Sequence, residues 1–272
     1  MELLIENLPT LLALIATGVV AGILAGLLGV GGGIVIVPIL YFLFQGFGVS
    51  ADSAMVIATA TSLATIVPTS ISSMRAHHKK GNVDFSLLKL WGPFILCGVL
   101  VGSYAVTVVD GESLTVLFGI IAMLSALNML FGKKQALFQS LPSNPGQAGM
   151  GTSVGLFSSM VGIGGGTLTV PMLTFCNYPA HKAVGTAAAV GLIISLPAAL
   201  TLLTIGTTPT DAPMGTVGLV NFVGFVCIVP LTVLFAPVGA NIASKLDAAK
   251  LKKVFAVVLL ITALRMLAQL VL

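Results

Sequence analysis

Two runs of three glycines are the residues of this chain whose pattern best suits binding chemistry. The residues concerned are Gly31, Gly32, Gly33 and Ile34 in the first run, and Gly164, Gly165, Gly166 and Thr167 in the second. Three successive glycines disfavour a continuous helix, since each costs about 1 kcal/mol relative to alanine. A helix that starts after such a break presents free N–H groups and the positive end of its dipole, which suit an anion. The runs therefore predict two anion-binding helix N-termini.

Close helix packing is the alternative use of such glycines, because small residues let membrane helices approach one another. In both runs a proline follows five residues after the last glycine, at Pro38 and Pro171. Proline inside a helix disfavours a straight course, so we assign both a structural role. The duplication of the break with its proline favours a binding site over packing. Substitution of Gly32 or Gly165 by a bulky residue is then expected to abolish binding while leaving membrane insertion intact.

Hydroxyl side chains within apolar stretches are a second group of candidates for substrate binding. Thr59 and Ser62 lie in one stretch, and Thr186 occupies the position equivalent to Thr59. Their hydroxyls either line an anion path or bond back to the backbone of their own helix.

A few charged and amide residues complete the candidates. Arg265 is the charge with the most apolar surroundings, which makes it a functional candidate, although it lies close enough to the C-terminus to reach the membrane surface. Asp84 and Asn221 occupy matching positions before two apolar stretches, where they are expected to cap helices. A proton-coupling role is the alternative for Asp84. His77 and His78 fall in a basic loop and are expected to be solvated.

The motifs of other chemistries are missing from the sequence. It has no Gly-x-Ser-x-Gly elbow, no metal-ligand spacing and no Gly-x4-Gly-Lys-Ser/Thr phosphate loop. We therefore predict neither an enzyme nor a metal or other cofactor. The net charge of +4 comes from a few loop clusters, which indicates membrane orientation and no nucleic-acid partner.

The elements that must position these residues are membrane helices. Apolar residues make up 57% of the 272 residues and charged residues only 7%, with a mean hydropathy of +1.13. A soluble domain carries about 25% charged residues, so most of this surface must face the lipid bilayer. Lipid cannot satisfy open backbone groups, and without a strand pattern the spans must be helices. An all-α, multi-pass protein is predicted.

The chain repeats itself. Residues 29–38 and 162–171 are identical at six of ten positions, and three further matches follow in the same order: 58–60 with 185–187, 81–85 with 218–222, and 126–130 with 263–267. We divide the chain into repeats over residues 1–135 and 147–272, joined by a linker over residues 136–146 that ends in a polar, turn-rich stretch. Each repeat has a Gly-rich broken hairpin and three spanning helices, giving 8–10 apolar segments.

Positive loops mark the cytoplasmic side of a membrane. The loop around Arg75, Lys79 and Lys80 is therefore expected inside, and the loop around Asp211, which lacks lysine and arginine, outside. The same rule places six further lysines on the cytoplasmic side: Lys133, Lys134, Lys245, Lys250, Lys252 and Lys253. Equivalent loops thus lie on opposite sides, so the repeats are predicted to be inverted, with both termini non-cytoplasmic and the protein in the inner membrane.

On these motifs the sequence resembles the TauE/SafE family of sulfite exporters. The resemblance rests on the duplicated Gly-x-Gly-Gly-Gly-x4-Pro pattern, the two apolar halves and the total length, and it covers essentially the whole chain. It implies transport of a sulfur-containing anion such as sulfite or an organosulfonate, driven by an ion gradient. Thr167 and Thr169 stand where the first repeat has Ile34 and Ile36, a departure from equal half-sites.

The leading hypothesis is a secondary transporter, with export as the direction, that binds a small oxyanion near the midplane between the two glycine-flanked N-termini. The coupling ion is a proton or sodium. The alternatives are an anion channel of the same architecture and a non-transporting membrane scaffold. The oligomeric state is left open.

Overall fold

The described part of the chain is a bundle of α-helices with one short β-hairpin. The computed structural model describes residues 8–29, 31–131, 138–242 and 248–270. Its helices are α1 (Leu8–Leu28), α2 (Gly33–Gly46), α3 (Ala51–His78), α4 (Phe85–Val108), α5 (Gly111–Phe131), α6 (Asn144–Val161), α7 (Gly166–Phe175), α8 (Ala180–Thr204), α9 (Phe222–Ile242) and α10 (Ala248–Ala268). Strands β1 (Thr216–Val217) and β2 (Val220–Asn221) pair antiparallel before α9.

Five of these helices, α3, α4, α5, α8 and α9, are long and apolar enough to cross a membrane. The helices α2 and α7, which follow the glycine runs, are shorter, with 14 and 10 residues. A bilayer crossing needs roughly 20 residues, so neither of these two can span alone. The predicted all-α membrane fold is confirmed, and its ten helices agree with the expected 8–10 apolar segments.

The helices α3 and α8 pack against each other in the centre of the bundle. Around them α1 packs against α9, α4 against α6, and α5 against α10. The most apolar window of α3 is 72% buried, whereas that of α9 is only 28% buried. The apolar side chains exposed on α4 and α9 therefore form the surface suited to lipid.

Glycines bring the outer helix pairs into close contact. A Cβ atom placed on Gly26 of α1 would lie 1.8 Å from the Ala236 carbonyl oxygen of α9, and one on Gly155 of α6 would lie 2.1 Å from the Ile95 carbonyl oxygen of α4. Neither site has room for a methyl group. Close packing, considered above as the alternative for the glycine runs, is thus the role of these other glycines.

Some helix boundaries differ from those that the apolar stretches of the sequence predict. The apolar stretch Ala54–Ser73 predicts a helix, and α3 continues beyond it to His78, because the residues after Ser73 include no helix breaker. A further helix is predicted to begin at Val217, but the hairpin occupies residues 216–221, so α9 begins at Phe222. The helix α6 begins at Asn144, inside the expected linker, because a proline in the first helical turn costs no hydrogen bond.

Several residues used for the predicted orientation lie outside the described residues: Lys133, Lys134, Lys245 and both chain termini. The orientation of the chain in the membrane stays a prediction.

Candidate functional site

Both glycine runs end one helix and start another, as predicted. The helix α2 begins at Gly33, after Gly32, whose φ of 84° lies in the left-handed region that favours glycine. The helix α7 begins at Gly166 after Gly165, which is already right-handed helical with a φ of −51°. The two turns therefore share their position in the repeat but not their backbone path.

The two turns touch each other. A Cβ atom on Gly33 would lie 2.5 Å from the Gly162 carbonyl oxygen, and one on Gly31 would lie 3.4 Å from Gly164 Cα. Ser62 Oγ donates a 2.7 Å hydrogen bond to the same Gly162 carbonyl oxygen, which ties α3 to the second turn. The breaks thus face inward, and they meet through the backbone at the centre of the bundle.

The N-terminus of α7 borders a cavity of about 460 Å³, which we call the polar cavity. It lies at the end of the bundle where α3 ends and α8 begins, and exposed residues line its mouth. Its lining residues that can bind an anion or donate to one are Gly166, Thr167, Thr174, Ser125, Asn128, Asn82, His77, Lys80 and His181. No aspartate or glutamate of the described chain lines it. Lys80 and two histidines beside a helix N-terminus are a lining that suits an anion.

Two buried groups in the polar cavity have no hydrogen-bond partner among the described residues. Thr167 is 3% exposed and its Oγ1 is unpaired. His77 is 3% exposed, and its Nε2 lies 2.8 Å from the Gly26 carbonyl oxygen while its Nδ1 is unpaired. Buried polar groups are rarely left without a partner, so each of these two has capacity to bind a ligand.

The other glycines of the two runs do not reach the surface of this cavity. The residues Gly31, Gly32, Gly33, Gly164 and Gly165 are buried and do not line it. Gly166 and Thr167 do, so the second run reaches the cavity through its last residue.

The first run faces different surroundings. Ile34 and Pro38 line a separate cavity of about 220 Å³ between α2 and α10, whose walls are otherwise almost entirely apolar. Arg265 is exposed at its edge, with its guanidinium carbon 4.5 Å from the centre of the Phe42 ring. Asn128, the residue equivalent to Arg265, lines the polar cavity instead. The two predicted half-sites are therefore unequal. The half-site with Thr167 is polar and the half-site with Ile34 is apolar, as these two side chains indicate.

The two prolines lie inside continuous helices. Pro38 is within α2 and Pro171 within α7, and Pro171 also lines the polar cavity. Neither ends its helix, although each removes one backbone donor from it.

The hydroxyl candidates differ in their contacts. Thr59 packs against Gly162 and its buried Oγ1 has no described partner. Thr186 Oγ1 accepts a 3.0 Å hydrogen bond from the Asp84 backbone N–H. Thr65 and Thr69 bond back to carbonyls of α3, the alternative considered for such residues. None of the three candidates Thr59, Ser62 and Thr186 lines the polar cavity.

Asp84 and Asn221 cap the helices that follow them, as predicted. Asp84 Oδ1 accepts hydrogen bonds from the N–H groups of Ser86 and Leu87 at 2.9 and 3.1 Å. Asn221 Oδ1 accepts one from the Gly224 N–H at 2.8 Å. The Tyr178 hydroxyl also donates to Asp84, and this hydrogen bond is the main reason that the pKa of Asp84 is lowered. An ionised, fully engaged cap is poorly suited to carry a proton at neutral pH.

His77 was expected to be solvated, and this expectation was wrong. The extension of α3 places it one helical turn beyond Ser73, on the face that also carries Ile66 and Ser70, and all four are buried. The spacing 66, 70, 73 and 77 follows the helical period, so the sequence did contain the signal. It was missed because the run of basic residues resembled a loop.

Comparisons with known proteins agree on one family. Residues 14–266 match the family described as sulfite exporter TauE/SafE. A probable membrane transporter protein of Haemophilus influenzae is 31% identical over 94% of this chain and 97% of its own length. One of Methanocaldococcus jannaschii is 30% identical over 85% of this chain and 83% of its own length. No solved structure matches the chain.

Proposed function

The chain belongs to the sulfite exporter TauE/SafE family, and on that premise we propose that it is a secondary transporter for a small sulfur-containing oxyanion such as sulfite or an organosulfonate. Membership makes it a multi-pass membrane transporter, and its five long apolar helices fit that role. The substrate class and the direction of transport are the proposal.

The observation that carries the proposal is the polar cavity. It brings together Gly166 and Thr167 at the start of α7, whose Thr167 hydroxyl has no partner among the described residues, and the side chains of His77, Lys80 and His181. No aspartate or glutamate of the described residues lines it. Tetrahedral oxyanions present several acceptor oxygens, and such a set of donors can satisfy them together. An anion bound there would lie beside the end of the second glycine run, where Gly166 and Thr167 line the cavity.

Export is the direction we propose, and it requires a cavity that a substrate can enter from the cytoplasm. The cavity opens beside Lys80, at the end of the bundle that the positive-inside rule assigns to the cytoplasm. Arg75 and Lys79, with Lys80, line a further cavity of about 620 Å³ at this end, which adds positive potential at the mouth. A substrate loaded from the cytoplasm of a protein in the inner membrane would be exported, driven by a proton or sodium gradient.

Binding and transport of a panel of anions test this proposal. Purified protein is titrated with sulfite, sulfate, thiosulfate, sulfoacetate, acetate, phosphate and chloride, first by thermal shift and then by calorimetry. We expect saturable binding of at least one sulfur oxyanion and weak or no binding of acetate and chloride. Failure of all sulfur oxyanions to bind would contradict the proposed substrate class.

Flux in proteoliposomes then separates transporter from channel. A transporter moves the bound anion faster when a gradient of its coupling ion is imposed, whereas a channel responds only to the gradient of the anion and the membrane potential. A scaffold would bind or move no anion under either condition.

A further inference from the structure

His77 lines the polar cavity, and one hydrogen bond of its ring decides which ring nitrogen carries a hydrogen. Its Nε2 lies 2.8 Å from the Gly26 carbonyl oxygen. A carbonyl oxygen only accepts, so Nε2 must carry a hydrogen in every protonation state that keeps this bond. In a neutral imidazole Nδ1 is then a lone pair, and in an imidazolium it is a second N–H donor.

This lone pair is the wrong partner for an anion. Nδ1 is buried without a hydrogen-bond partner among the described residues, and His77 lines the polar cavity. An oxyanion offers only acceptor oxygens when fully ionised, so it can contact Nδ1 favourably only if that atom carries a hydrogen.

The charges around His77 also link anion binding to protonation of its ring. On α3 and the turn after it, the charged or titratable neighbours are Arg75, His78, Lys79, Lys80 and Asp84. The helix α8 contributes His181 to the cavity, next to Lys182, and the Asp84 carboxylate is engaged by the Tyr178 hydroxyl. The described residues of α1, α5, α7 and α9 that line the cavity are not titratable. Lys80 Nζ donates to the Ala240 carbonyl oxygen at 2.6 Å, and no carboxylate of the described residues forms an ion pair with it. An anion in the cavity would therefore favour a positive charge at His77.

We propose that His77 takes up one proton at Nδ1 when the anion binds and donates that hydrogen to it, so that anion binding is linked to a proton. The proton comes from water in the cavity and returns there when the anion leaves, and no covalent bond of the anion changes. The inference rests on the proposed function, because it describes the anion of that same site. It concerns the proton taken up at the binding step and does not name the ion whose gradient drives export.

Calorimetry in two buffers of different protonation enthalpy counts the protons taken up. The probes are sulfate, thiosulfate and sulfoacetate, whose charges do not change between about pH 6 and 8, the range in which histidine titrates. Wild-type protein should take up close to one proton per bound anion above neutral pH. Its affinity should fall by about tenfold per pH unit once the ring is neutral, since one proton is linked to each anion.

His77→Gln tests the residue itself. Its amide can still donate to the Gly26 carbonyl oxygen but cannot gain a proton, so anion binding should become independent of pH with no proton uptake. His78→Gln is the matched control, because His78 is the exposed neighbour of His77 and does not line the cavity. It should retain both the affinity and the proton count of the wild type. His181→Gln should keep the proton uptake whatever its effect on affinity.

The outcomes separate the two proposals. Anion binding by wild-type protein without proton uptake, or uptake that persists in His77→Gln, overturns the role of His77 and leaves the proposed function standing. Absence of binding by any probe at any pH contradicts the proposed function. If His77→Gln does not fold, 15N NMR of histidine-labelled wild type decides: anion addition at constant pH should convert one Nδ1 from unprotonated to protonated, and no such change would refute the inference.

Discussion

At the residue scale, single substitutions between the repeats distinguish the two helix N-termini. Thr167 stands where the first repeat has Ile34, and Asn128 stands where the second has Arg265. Thr167 and Asn128 line the polar cavity, whereas Ile34 and Arg265 line the smaller apolar one. A change of two side chains thus coincides with a change from a polar to an apolar cavity on the same backbone plan.

Thr167→Val should weaken anion binding by roughly ten- to 150-fold, since it removes one hydrogen bond to a charged ligand, worth about 1.5–3 kcal/mol. The unfolding temperature should change little or rise, because the hydroxyl has no described protein partner to lose. Calorimetry with the best anion of the panel measures the affinity.

Thr169→Val is the matched control for this substitution. Thr169 lies on the same helix, is buried and also has an unpaired hydroxyl, but it does not line the polar cavity. The Thr169→Val variant should bind the anion with the affinity of the wild type. Equal losses in both variants would show that the effect comes from α7 packing and not from contact with the ligand.

At the scale of the element, the glycine runs serve two purposes in one turn. They stop one helix and start the next, and they let the two turns approach through their backbones. Gly33 shows the second purpose, because its φ is not positive and the limit on its side chain is the nearby Gly162 carbonyl oxygen. The requirement for glycine there is therefore one of space and comes from the other repeat.

Gly33→Ala should destabilise the protein by about 1–3 kcal/mol, the usual cost of forcing an extra methyl into a packed core. Because the added Cβ would push the two turns apart, anion affinity should also fall. Thermal unfolding in detergent measures the stability, and calorimetry on the folded variant measures the affinity.

Gly46→Ala at the other end of α2 provides the comparison. A Cβ atom there would meet no atom within 4 Å. It should leave the unfolding temperature unchanged or raise it slightly, since alanine favours helix. If Gly33→Ala behaved like Gly46→Ala, the contact between the turns would not hold the site together.

At the scale of the whole molecule, the packing is nearly the same when the two repeats are exchanged. The pair α1–α9 corresponds to α6–α4, α3–α9 to α8–α4, and α2–α3 to α7–α8. Two carboxylates join the repeats at opposite ends of α3. Asp84 accepts from the Tyr178 hydroxyl near the end of α3, and Asp211 accepts from Ser53 Oγ at 2.7 Å near its start.

The hydrogen bonds to Asp211 connect the start of α3 to the loop of the second repeat that carries Asp211. The hydrogen bonds from Ser53 and from the Ser50 N–H lower the pKa of Asp211 to about 2. The group is ionised far below neutral pH, so the contact persists through the physiological range. With α3 about 40 Å long, the loops that carry Asp84 and Asp211 lie at opposite ends of the bundle, as inverted repeats require.

Cysteine labelling tests the inversion directly. In a cysteine-free background, Lys79→Cys and Thr208→Cys place single thiols at exposed positions of these two loops. We expect an impermeant maleimide to label Lys79→Cys only from the cytoplasmic side and Thr208→Cys only from the outside, in vesicles of known orientation. Labelling of both from one side would refute the inverted arrangement.

The helices and their breaks could be predicted from the amino-acid sequence. Composition required lipid around the bundle, and the glycine runs, whose cost to a helix is local, placed the starts of α2 and α7 within one residue of the expected positions. The caps at Asp84 and Asn221 were also predictable, because a cap bonds to N–H groups only two or three residues away.

Which of the candidate residues share a cavity depends on the tertiary packing. Thr167, His77, Lys80 and His181 come from different elements, and their convergence depends on how α3, α7 and α8 pack, which no local pattern encodes. The burial of His77 likewise depends on the Gly26 carbonyl oxygen, 51 residues earlier in the chain. Hydrogen bonds and burial between residues so far apart in the chain depend on how the helices pack. The sequence therefore predicts candidate residues, and the fold shows which of them lie together.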